Sequence, residues 1–399
     1  MRILIINQYF PPDVSNTAYL LGELAEDLAV RHDVTVVAGR PSYSPEASSY
    51  TPRGPSVVRV RSTGFNRSSL WGRATNYLSY LASSLIRAMV VRRPDVVVTM
   101  TDPPVVGVIG ALVSMRFRRP LVHVCHDLYP DIAVALGTLQ RGLATRIWDR
   151  ANRFVWSRAD LVCAVSRDMK ERLVARDVPA QRVEVLPTWA SPQAPDAEGV
   201  GRTRTSMGWD GRTVVMHAGN LGLAQDAATI VRAAERLREH EDIAIVFLGD
   251  GAGKRALVAA VQRDGLSNVT FLSHRPKPEA QRLMEAADLH VVSLLPGLSG
   301  CAAPSKTYGI MAAGRPYVAA VDSGTEPQLI AAEFECGAHV PPGDADALAQ
   351  AILDMRGRDL DAIGARGRAA LERGYSRASV VARFEGLVED VAAGRFRGP

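Results

Sequence analysis

The sequence has few cysteines and no long hydrophobic run, and these absences exclude several kinds of protein. Its four cysteines are Cys125, Cys163, Cys301 and Cys336. They form no CxxC pair and lack the spacing of a disulfide scaffold, which indicates reduced thiols. The longest uncharged apolar stretch, residues 103–115, is well short of the roughly 20 residues that a membrane-spanning helix needs. The N-terminus turns polar at Asn7, too early for a signal peptide, so we expect a cytoplasmic protein.

A metal centre is not expected either. His123, Cys125 and His126 lie close together, but Val124 alternates with them along a predicted strand. Neighbouring side chains of a strand point to opposite faces, so these three do not converge as the ligands of a zinc ion must. We expect no metal and no other cofactor.

The charge is distributed unevenly along the chain. The composition, with 47% hydrophobic and 22% charged residues, is that of a globular protein and excludes disorder. Residues 1–190 carry a net charge of +8 and residues 191–399 a net charge of −3. A basic half can serve nucleic acid, an anionic membrane or a phosphorylated small molecule. No basic motif interleaved with aromatic residues is present, so we expect no nucleic-acid partner.

Hydrophobic runs alternate with helical patterns along the whole chain, which predicts an α/β fold with parallel sheets covered on both faces. Helices are expected at 16–31 and 71–91, with a helix pair over 360–391. The predicted strands are 3–6, 34–38, 57–60, 95–99, 121–125, 161–165, 183–186, 214–217, 243–248, 269–272, 289–293 and 317–320.

A stretch without periodicity, residues 187–211, reads as a linker rich in proline and small residues. It predicts two doubly wound, Rossmann-like domains facing a cleft, at 1–190 and 191–375, and a final helix at 376–399. Ligands of such sheets bind beyond the carboxyl ends of the strands, so the turns there are the places to look for chemistry.

The first such turn of the second half is Gly219-Asn220-Leu221-Gly222. Its two glycines allow a close approach of the backbone to a ligand, and the following helix offers free amides. This suits a diphosphate, and an ordinary glycine turn would show the same residues.

A second glycine cluster, Gly249, Gly251 and Gly253, ends another strand. Its spacing does not match a dinucleotide-binding fingerprint, which argues against a nicotinamide site. Asp250 can contact a ligand or cap the next helix, and we favour capping.

The most informative segment is Ser305-Lys306-Thr307, which begins a predicted helix. A lysine in the first turn opposes the helix dipole, so another function should favour it. The amides of these three residues and the ammonium would together bind a diphosphate. A solvated surface lysine is the alternative, although the chain has only four lysines against 43 arginines.

In the first half, His126 and Asp127 follow a strand and precede a helix. This places them at the edge of the sheet, where they can contact hydroxyls or a developing charge. A buried histidine and a helix-capping aspartate would give the same pattern.

Several motifs in series resemble the retaining glycosyltransferases of family 4, which have the GT-B fold. The similarity covers nearly the whole chain and is closest to the fucosamine-transferase-like branch of surface-polysaccharide assembly. The segments that carry it are 7–12, 33–37, 101–104, 127–131, 219–222, 247–251, 268–272, 286–288 and 304–316.

The resemblance implies that the second domain binds a nucleotide-diphosphate sugar, which we expect to be UDP-linked, and that the first binds the acceptor. It implies front-face transfer with retention, without a metal, since basic groups and helix amides neutralise the leaving diphosphate. His126, Asp127 and Lys306 would be catalytic. The donor would also contact Gly219, Asn220, Leu221, Gly222, Asp250, His274, Arg275, Ser305 and Thr307. The acceptor would contact Ser15, Asn16, Thr17 and Tyr129.

The chain departs from the family where two glutamates are usual, because Cys301 and Gly309 stand there. The loss of the first fits a deoxy or amino sugar as the donor. A nucleotide-sugar 2-epimerase or a non-catalytic nucleotide-sugar-binding scaffold are alternative functions.

The acceptor is open between a lipid-linked glycan and a soluble small molecule of natural-product biosynthesis. The helix at 71–91 carries apolar residues flanked by Arg73, Arg87, Arg92 and Arg93. Such a helix can rest on an anionic membrane or face the core with a solvated edge.

Overall fold

The computed structural model describes residues 1–13, 15–41, 50–63, 70–192, 194 and 196–396. The chain divides into two compact units. The N-terminal unit comprises Met1–Pro187 and Val380–Pro399, and the C-terminal unit is Thr188–Ser379. Among the described residues, none of the helices has the length and apolar character that crossing a membrane requires.

The N-terminal unit is built on a seven-stranded parallel sheet in the order β3-β2-β1-β4-β5-β6-β7. The chain runs outward from β1 to β3 and then returns to the other side of β1, so the order reverses between β1 and β4. Its strands are β1 (Arg2–Ile6), β2 (Asp33–Gly39), β3 (Ser56–Val60), β4 (Val96–Thr99), β5 (Leu121–Cys125), β6 (Leu161–Ala164) and β7 (Val183–Val185).

The C-terminal unit repeats this plan with six parallel strands in the order β10-β9-β8-β11-β12-β13. The reversal lies between β8 and β11. Its strands are β8 (Thr213–Ala218), β9 (Ile243–Leu248), β10 (Val269–Leu272), β11 (Leu289–Ser293), β12 (Tyr317–Ala320) and β13 (Gly337–Val340).

Helices supply the crossovers that parallel neighbours require. Several begin at a side chain that accepts a backbone N–H, as Ser15 does for Ala18 at α1. The helices are α1 (Asn16–Leu28), α2 (Leu70–Met89), α3 (Val106–Phe117), α4 (Asp131–Ala135), α5 (Leu143–Arg158), α6 (Arg167–Val174), α7 (Ala197–Met207), α8 (Ala227–Arg236), α9 (Lys254–Arg263), α10 (Lys277–Ala286), α11 (Lys306–Ala312), α12 (Glu326–Glu333), α13 (Ala345–Arg356), α14 (Leu360–Ala370) and α15 (Arg377–Ala392).

Both faces of the C-terminal sheet are buried. Successive residues of β8 alternate between two cores: Val215 packs with Phe247 on one face, and Val214 and Met216 pack with Val246 on the other. A strand that is apolar at every position therefore has a core partner for each side chain. This is why continuous rather than alternating hydrophobic runs predicted these strands correctly.

The fold class is confirmed, and the differences lie at the margins. The predicted linker contains a helix, α7, which Asp196 caps by accepting the amide of Gly199. Strand β13 was missed, because most of its residues are only half-buried and its hydrophobic run is short. The predicted helix at 16–31 ends at Leu28, and the final helix pair is interrupted by a π-helical turn at Leu371–Tyr375.

Candidate active site

The reversal of strand order in the C-terminal unit marks one place where a ligand can bind. Strand β8 ends at Ala218, immediately before the turn that starts with Gly219. Strand β11 ends at Ser293, and the chain then runs to α11, whose first residue is Lys306. The two segments that sequence analysis favoured thus follow the two strands that flank the reversal.

The turn at 219–222 is held by the neighbouring glycine cluster. Gly219 has φ +118° and donates its amide to the Leu248 carbonyl at 2.8 Å, and Leu221 donates to the Asp250 carbonyl at 2.9 Å. A β-carbon on Gly249 would lie 2.1 Å from the Gly219 carbonyl oxygen, so the second cluster is glycine-rich because it packs against the first turn.

Only part of this turn is available to a diphosphate. The amides of Gly219 and Leu221 are engaged within the protein, contrary to the expectation that the whole turn offers donors. The amides of Asn220 and Gly222 form no hydrogen bond to another residue in the described part of the chain. Both residues are accessible to solvent, and Asn220 is exposed. Two amides therefore remain available at the turn.

Lys306 reaches this turn through its side chain. Its Nζ lies 2.9 Å from Nε2 of His217, which is on β8. A β-carbon built on Gly219 would lie 3.8 Å from Lys306 Cε, so the stem of the lysine runs beside the turn. Lys306 thus lies beside the 219–222 turn within the C-terminal unit.

Burial controls the charge of this pair. It lowers the pKa of the Lys306 amine to about 7. Burial, followed by the charge of Lys306, also holds the pKa of His217 well below its ordinary value. His217 is therefore neutral, and its Nε2 is hydrogen-bonded to the amine.

The start of α11 differs from the prediction. Thr307 donates its amide to the Pro304 carbonyl at 3.2 Å and its hydroxyl to the same oxygen at 3.0 Å, and its side chain is buried. Its amide is therefore not free for a phosphate. Ser305 is the N-cap residue of α11, and its side chain makes no capping bond.

The positions that replace the usual glutamates lie in the same unit. Cys301 is fully buried. A β-carbon on Gly309 would lie 3.5 Å from the terminal methyl of Met284, so there is no tight contact at this position.

Asp250 links the second glycine cluster to the segment after β10. It accepts from Lys254 Nζ at 2.6 Å and from the His274 amide at 2.8 Å, and these contacts lower its pKa, with Lys254 as the main cause. It does not cap α9, whose N-cap is Gly253, so the capping prediction is wrong. His274 and Arg275 are exposed, and Arg275 pairs with Glu279 at 3.4 Å.

In the N-terminal unit, Thr101 joins the ends of β4 and β5. Its Oγ1 accepts from the amides of His126 and Asp127 at 3.1 and 3.4 Å. Nε2 of His126 is buried and has no hydrogen-bond partner among the described residues. Burial lowers the pKa of His126 to about 4, so its ring is neutral.

Two carboxyl groups interact electrostatically at this edge. Burial raises the pKa of Asp102 to about 6, although a hydrogen bond with the Thr17 side chain opposes the shift. Burial, and then the charge of Asp102, raises the pKa of Asp127 to about 7. In the described residues no basic side chain forms an ion pair with either carboxylate. Thr17, a predicted acceptor contact, thus belongs to a small acidic cluster.

The other predicted acceptor residues have structural contacts. Ser15 caps α1, and Asn16 is the first residue of that helix. Tyr129 stacks on Trp148, with ring centroids 5.8 Å apart. Its carbonyl accepts from Asn152 at 2.6 Å. Val14, which directly precedes Ser15, lies outside the described residues.

One group of residues has the composition of a metal site. Nε2 of His32 lies 2.9 Å from Glu385 and 3.5 Å from Glu389. Glu385 also accepts from Nε of Arg31 at 2.8 Å. Glu385 therefore has cationic or hydrogen-bonding partners within the protein. The contacts form a network that attaches α15 to the residues just after α1. His123, from the predicted strand grouping, bonds through Nδ1 to Thr99 at 2.8 Å.

Two residues were given no role by sequence reasoning. His217 precedes the glycine turn by two positions and reads as one more residue of a buried strand. Asp102 lies in the 101–104 segment that carries the family resemblance, but only the structure shows that its charge acts on Asp127. A histidine near the end of a buried strand and an aspartate directly after a strand are weak indications of a functional site. Buried or helix-capping residues without a function give the same patterns.

Comparison with known proteins identifies the family. Residues 18–189 match the model of the glycosyl transferase 4-like domain, and residues 212–357 match that of the glycosyl transferases group 1. The chain belongs to the glycosyltransferases with the GT-B fold. This glycosyltransferase is 26% identical over 401 residues to the probable glycosyltransferase WbjE of Pseudomonas aeruginosa, covering 97% of each chain. It is 25% identical over 363 residues to the putative colanic acid biosynthesis glycosyl transferase WcaI of Escherichia coli K12, covering 82% of this chain and 84% of WcaI.

Solved structures agree with the fold. Alr3699/HepE of Anabaena, crystallised in complex with UDP, superposes with a TM-score of 0.75 at 18% identity, covering 98% of this glycosyltransferase and all of HepE. The same protein has also been solved with UDP-glucose.

Proposed function

We propose that this glycosyltransferase moves a sugar, with retention and without a metal ion, from a UDP-linked donor to a hydroxyl of a glycan or small-molecule acceptor. The observation that carries the proposal is the placement of the Lys306 amine beside the glycine turn at the end of β8. One cationic side chain and two available amides form a site of the right chemistry for a diphosphate. HepE, which has the same fold, binds UDP and UDP-glucose.

In the proposed reaction the bond from the anomeric carbon to the diphosphate oxygen breaks while the acceptor oxygen bonds to that carbon on the same face. The acceptor proton passes to the departing phosphate oxygen, so no side-chain base is needed. Lys306 then stabilises the charge that develops on the leaving group, as preorganised donors do in other group transfers. This is the reason for proposing metal independence.

We place the acceptor in the N-terminal unit, at the edge formed by Thr101, His126 and Asp127. The buried, unpartnered Nε2 of His126 can accept a hydrogen bond from a hydroxyl. Asp127 and Asp102 add further acceptors with no basic partner among the described residues. A group rich in hydrogen-bond donors, such as a sugar or an aminocyclitol, complements this edge.

The donor sugar is proposed to be a deoxy or amino sugar. The position at which relatives of this kind carry a glutamate for sugar hydroxyls is occupied by the buried Cys301. A thiol is a poor hydrogen-bond partner, so a sugar that lacks the corresponding hydroxyl would lose the least binding free energy at this position.

We further propose peripheral contact with the inner, anionic face of a membrane, through helix α2. Leu78, Ile86 and Val90 follow one another at helical spacing along its outer side and at its end, and they are 67%, 70% and 67% exposed. Arg87, Arg92 and Arg93 are exposed beside them, and α2 contains no acidic residue. Arg73 lies among the side chains outside the described ones. A face that is both apolar and basic fits anionic lipid, and a lipid-linked acceptor would be bound there.

Co-sedimentation with vesicles tests this contact. The parent protein should co-sediment with phosphatidylglycerol vesicles and not with phosphatidylcholine vesicles, and the Ile86→Glu variant should co-sediment with neither.

A panel of nucleotide sugars, supplied without an acceptor, tests the proposed function. Slow release of nucleoside diphosphate from one UDP-sugar, unchanged by a chelator, is the expected result. An isomerised donor would indicate a 2-epimerase, and tight binding without release would indicate a scaffold. Turnover that a chelator abolishes and magnesium restores would contradict the metal-free mechanism.

A further inference from the structure

The amine of Lys306 has an unusual neighbour. In the described part of the chain no carboxylate pairs with it, and its hydrogen-bond partner is the imidazole of His217 at 2.9 Å. Both groups gain positive charge on protonation. When two such groups lie at hydrogen-bond distance, they are not both positively charged at neutral pH, because the two adjacent cations would repel each other.

The direction of this hydrogen bond is determined when the amine is protonated, because an ammonium can only donate. For Nε2 of His217 to accept from the amine, that nitrogen must be unprotonated, which leaves the single imidazole proton on Nδ1. A second proton on the ring would place two cations in contact. The imidazole is fully enclosed, because His217 is 1% exposed, so solvent offers little screening.

Other titratable groups near the pair are few. His290, on the neighbouring strand β11, lowers the pKa of His217 further, and it is itself buried and bonded through Nε2 to the Met284 carbonyl at 3.0 Å. At the neighbouring glycine cluster, Asp250 and Lys254 form an ion pair with each other at 2.6 Å. The charge state of Lys306 is therefore set by burial and by whatever binds at the turn.

We propose that His217 is a positioning residue, which holds Lys306 beside the glycine turn in a form that takes up a proton when the donor diphosphate arrives. This inference rests on the proposed donor site. The anion would supply the counter-charge that the protein lacks, so the ammonium would form as the donor binds. Donor affinity would then depend on pH through one proton.

The consequence has a definite sign. Burial lowers the pKa of Lys306 to about 7 in the free protein, so the amine loses its proton as the pH rises through neutrality. Binding that takes up one proton should weaken about tenfold per pH unit above this point. Below it the proton is already in place, and affinity should be flat.

The chain makes the measurement simple because it contains only four lysines. In protein labelled with ¹³C at lysine Cε, the Lys306 signal is identified by its loss in Lys306→Arg. We expect this signal to move between pH 6 and 8 in the free protein and to move at higher pH when UDP or inorganic pyrophosphate is present. Calorimetry of UDP in two buffers of different ionisation enthalpy should give uptake of most of one proton at pH 8.

His217→Gln separates positioning from a structural role. Because His217 is already neutral between pH 6 and 8, the glutamine amide oxygen supplies an equivalent acceptor, and the Lys306 signal should titrate near its parent pH. His217→Leu removes the acceptor, so its Lys306 signal should titrate at lower pH and it should bind UDP more weakly at pH 8.5. His339→Gln, which replaces another histidine of this unit that bonds a backbone carbonyl, controls for loss of an imidazole.

Three results would overturn the inference: a Lys306 signal that does not move between pH 6 and 8, a titration in His217→Leu that is the same as in the parent protein, or no response to either anion. If pyrophosphate moves the signal and UDP neither moves it nor binds, the inference holds and the proposed nucleotide donor is wrong.

Discussion

Nη1 of Arg204 donates to both carboxylate oxygens of Asp288 at 3.0 Å, and this ion pair attaches a helix to the C-terminal sheet. The same guanidinium donates to the carbonyls of Ala286, Trp209 and Arg212 at 2.7–2.9 Å. Oδ2 of Asp288 in turn accepts the amide of Val214 at the start of β8. Helix α7 is thereby attached to the strand that carries the candidate donor site.

Replacing Arg204 should destabilise the C-terminal unit. Arg204→Ala leaves Asp288, whose side chain is 25% exposed, without its cation, and it removes the guanidinium donor from three carbonyls. We expect a loss of about 2–4 kcal/mol in the free energy of unfolding, measured by denaturant titration. Arg202→Ala, on the same helix but with a side chain 70% exposed, should cost less than about 1 kcal/mol. Equal effects of the two variants would contradict this account.

This contact also shows where sequence analysis failed. Buried strands of the two sheets could be predicted because each is a continuous apolar run, and parallel strands buried on both faces require that pattern. Helix α7 could not, because much of its surface faces solvent and its sequence, from Ala197 to Met207, carries little hydrophobic periodicity. Its position depends on Arg204 meeting Asp288, 84 residues later, which no local pattern reveals.

The candidate site was predictable in its segments but not in its contacts. Lys306 and the turn at Gly219 stood out through a helix-start lysine and a glycine pair. The partner of Lys306 did not, because His217 is an ordinary member of a buried strand in sequence. The role of Thr307 was mistaken for a similar reason, since a bond to the Pro304 carbonyl depends on the backbone path before α11.

Asp127 should make the N-terminal unit less stable as the pH rises. Its pKa, raised to about 7 by burial and then by Asp102, exceeds the unfolded value near 4. The folded state therefore binds more protons between pH 4 and 7, and stability falls across that window. Asp127→Asn removes the penalty, so at pH 8 it should be more stable than the parent by on the order of 2 kcal/mol, and at pH 4 by almost nothing.

Thermal unfolding at several pH values measures this difference. Asp33→Asn, at an exposed position of the same unit, controls for the loss of one negative charge. A stabilisation by Asp127→Asn that is the same at pH 4 and pH 8 would show that the carboxylate is not the source.

His126→Ala should lower turnover more than donor affinity. The unpartnered Nε2 of His126 belongs to the N-terminal unit, whereas the residues that we assign to the diphosphate belong to the C-terminal unit. We expect kcat to fall by about 100-fold, with the Kd of UDP within about threefold of the parent value. Steady-state kinetics on the best donor of the panel and calorimetry of UDP supply the two numbers. A parallel loss in both would place His126 in donor binding instead, and unchanged turnover would remove it from the site.

Lys306→Met should weaken donor binding while leaving the fold intact. Methionine keeps the length of the side chain beside Gly219 and removes the charge, and a charge-assisted hydrogen bond of this kind contributes about 1.5–3 kcal/mol. The Kd of UDP measured by calorimetry at pH 6.5 should therefore rise about 10- to 100-fold. Lys170→Met, a lysine of α6 in the N-terminal unit, should leave the Kd unchanged. Because methionine relieves the cost of a buried amine, the melting temperature of Lys306→Met should be equal to or above that of the parent. If UDP binds the variant as tightly as the parent protein, the diphosphate does not lie at this turn.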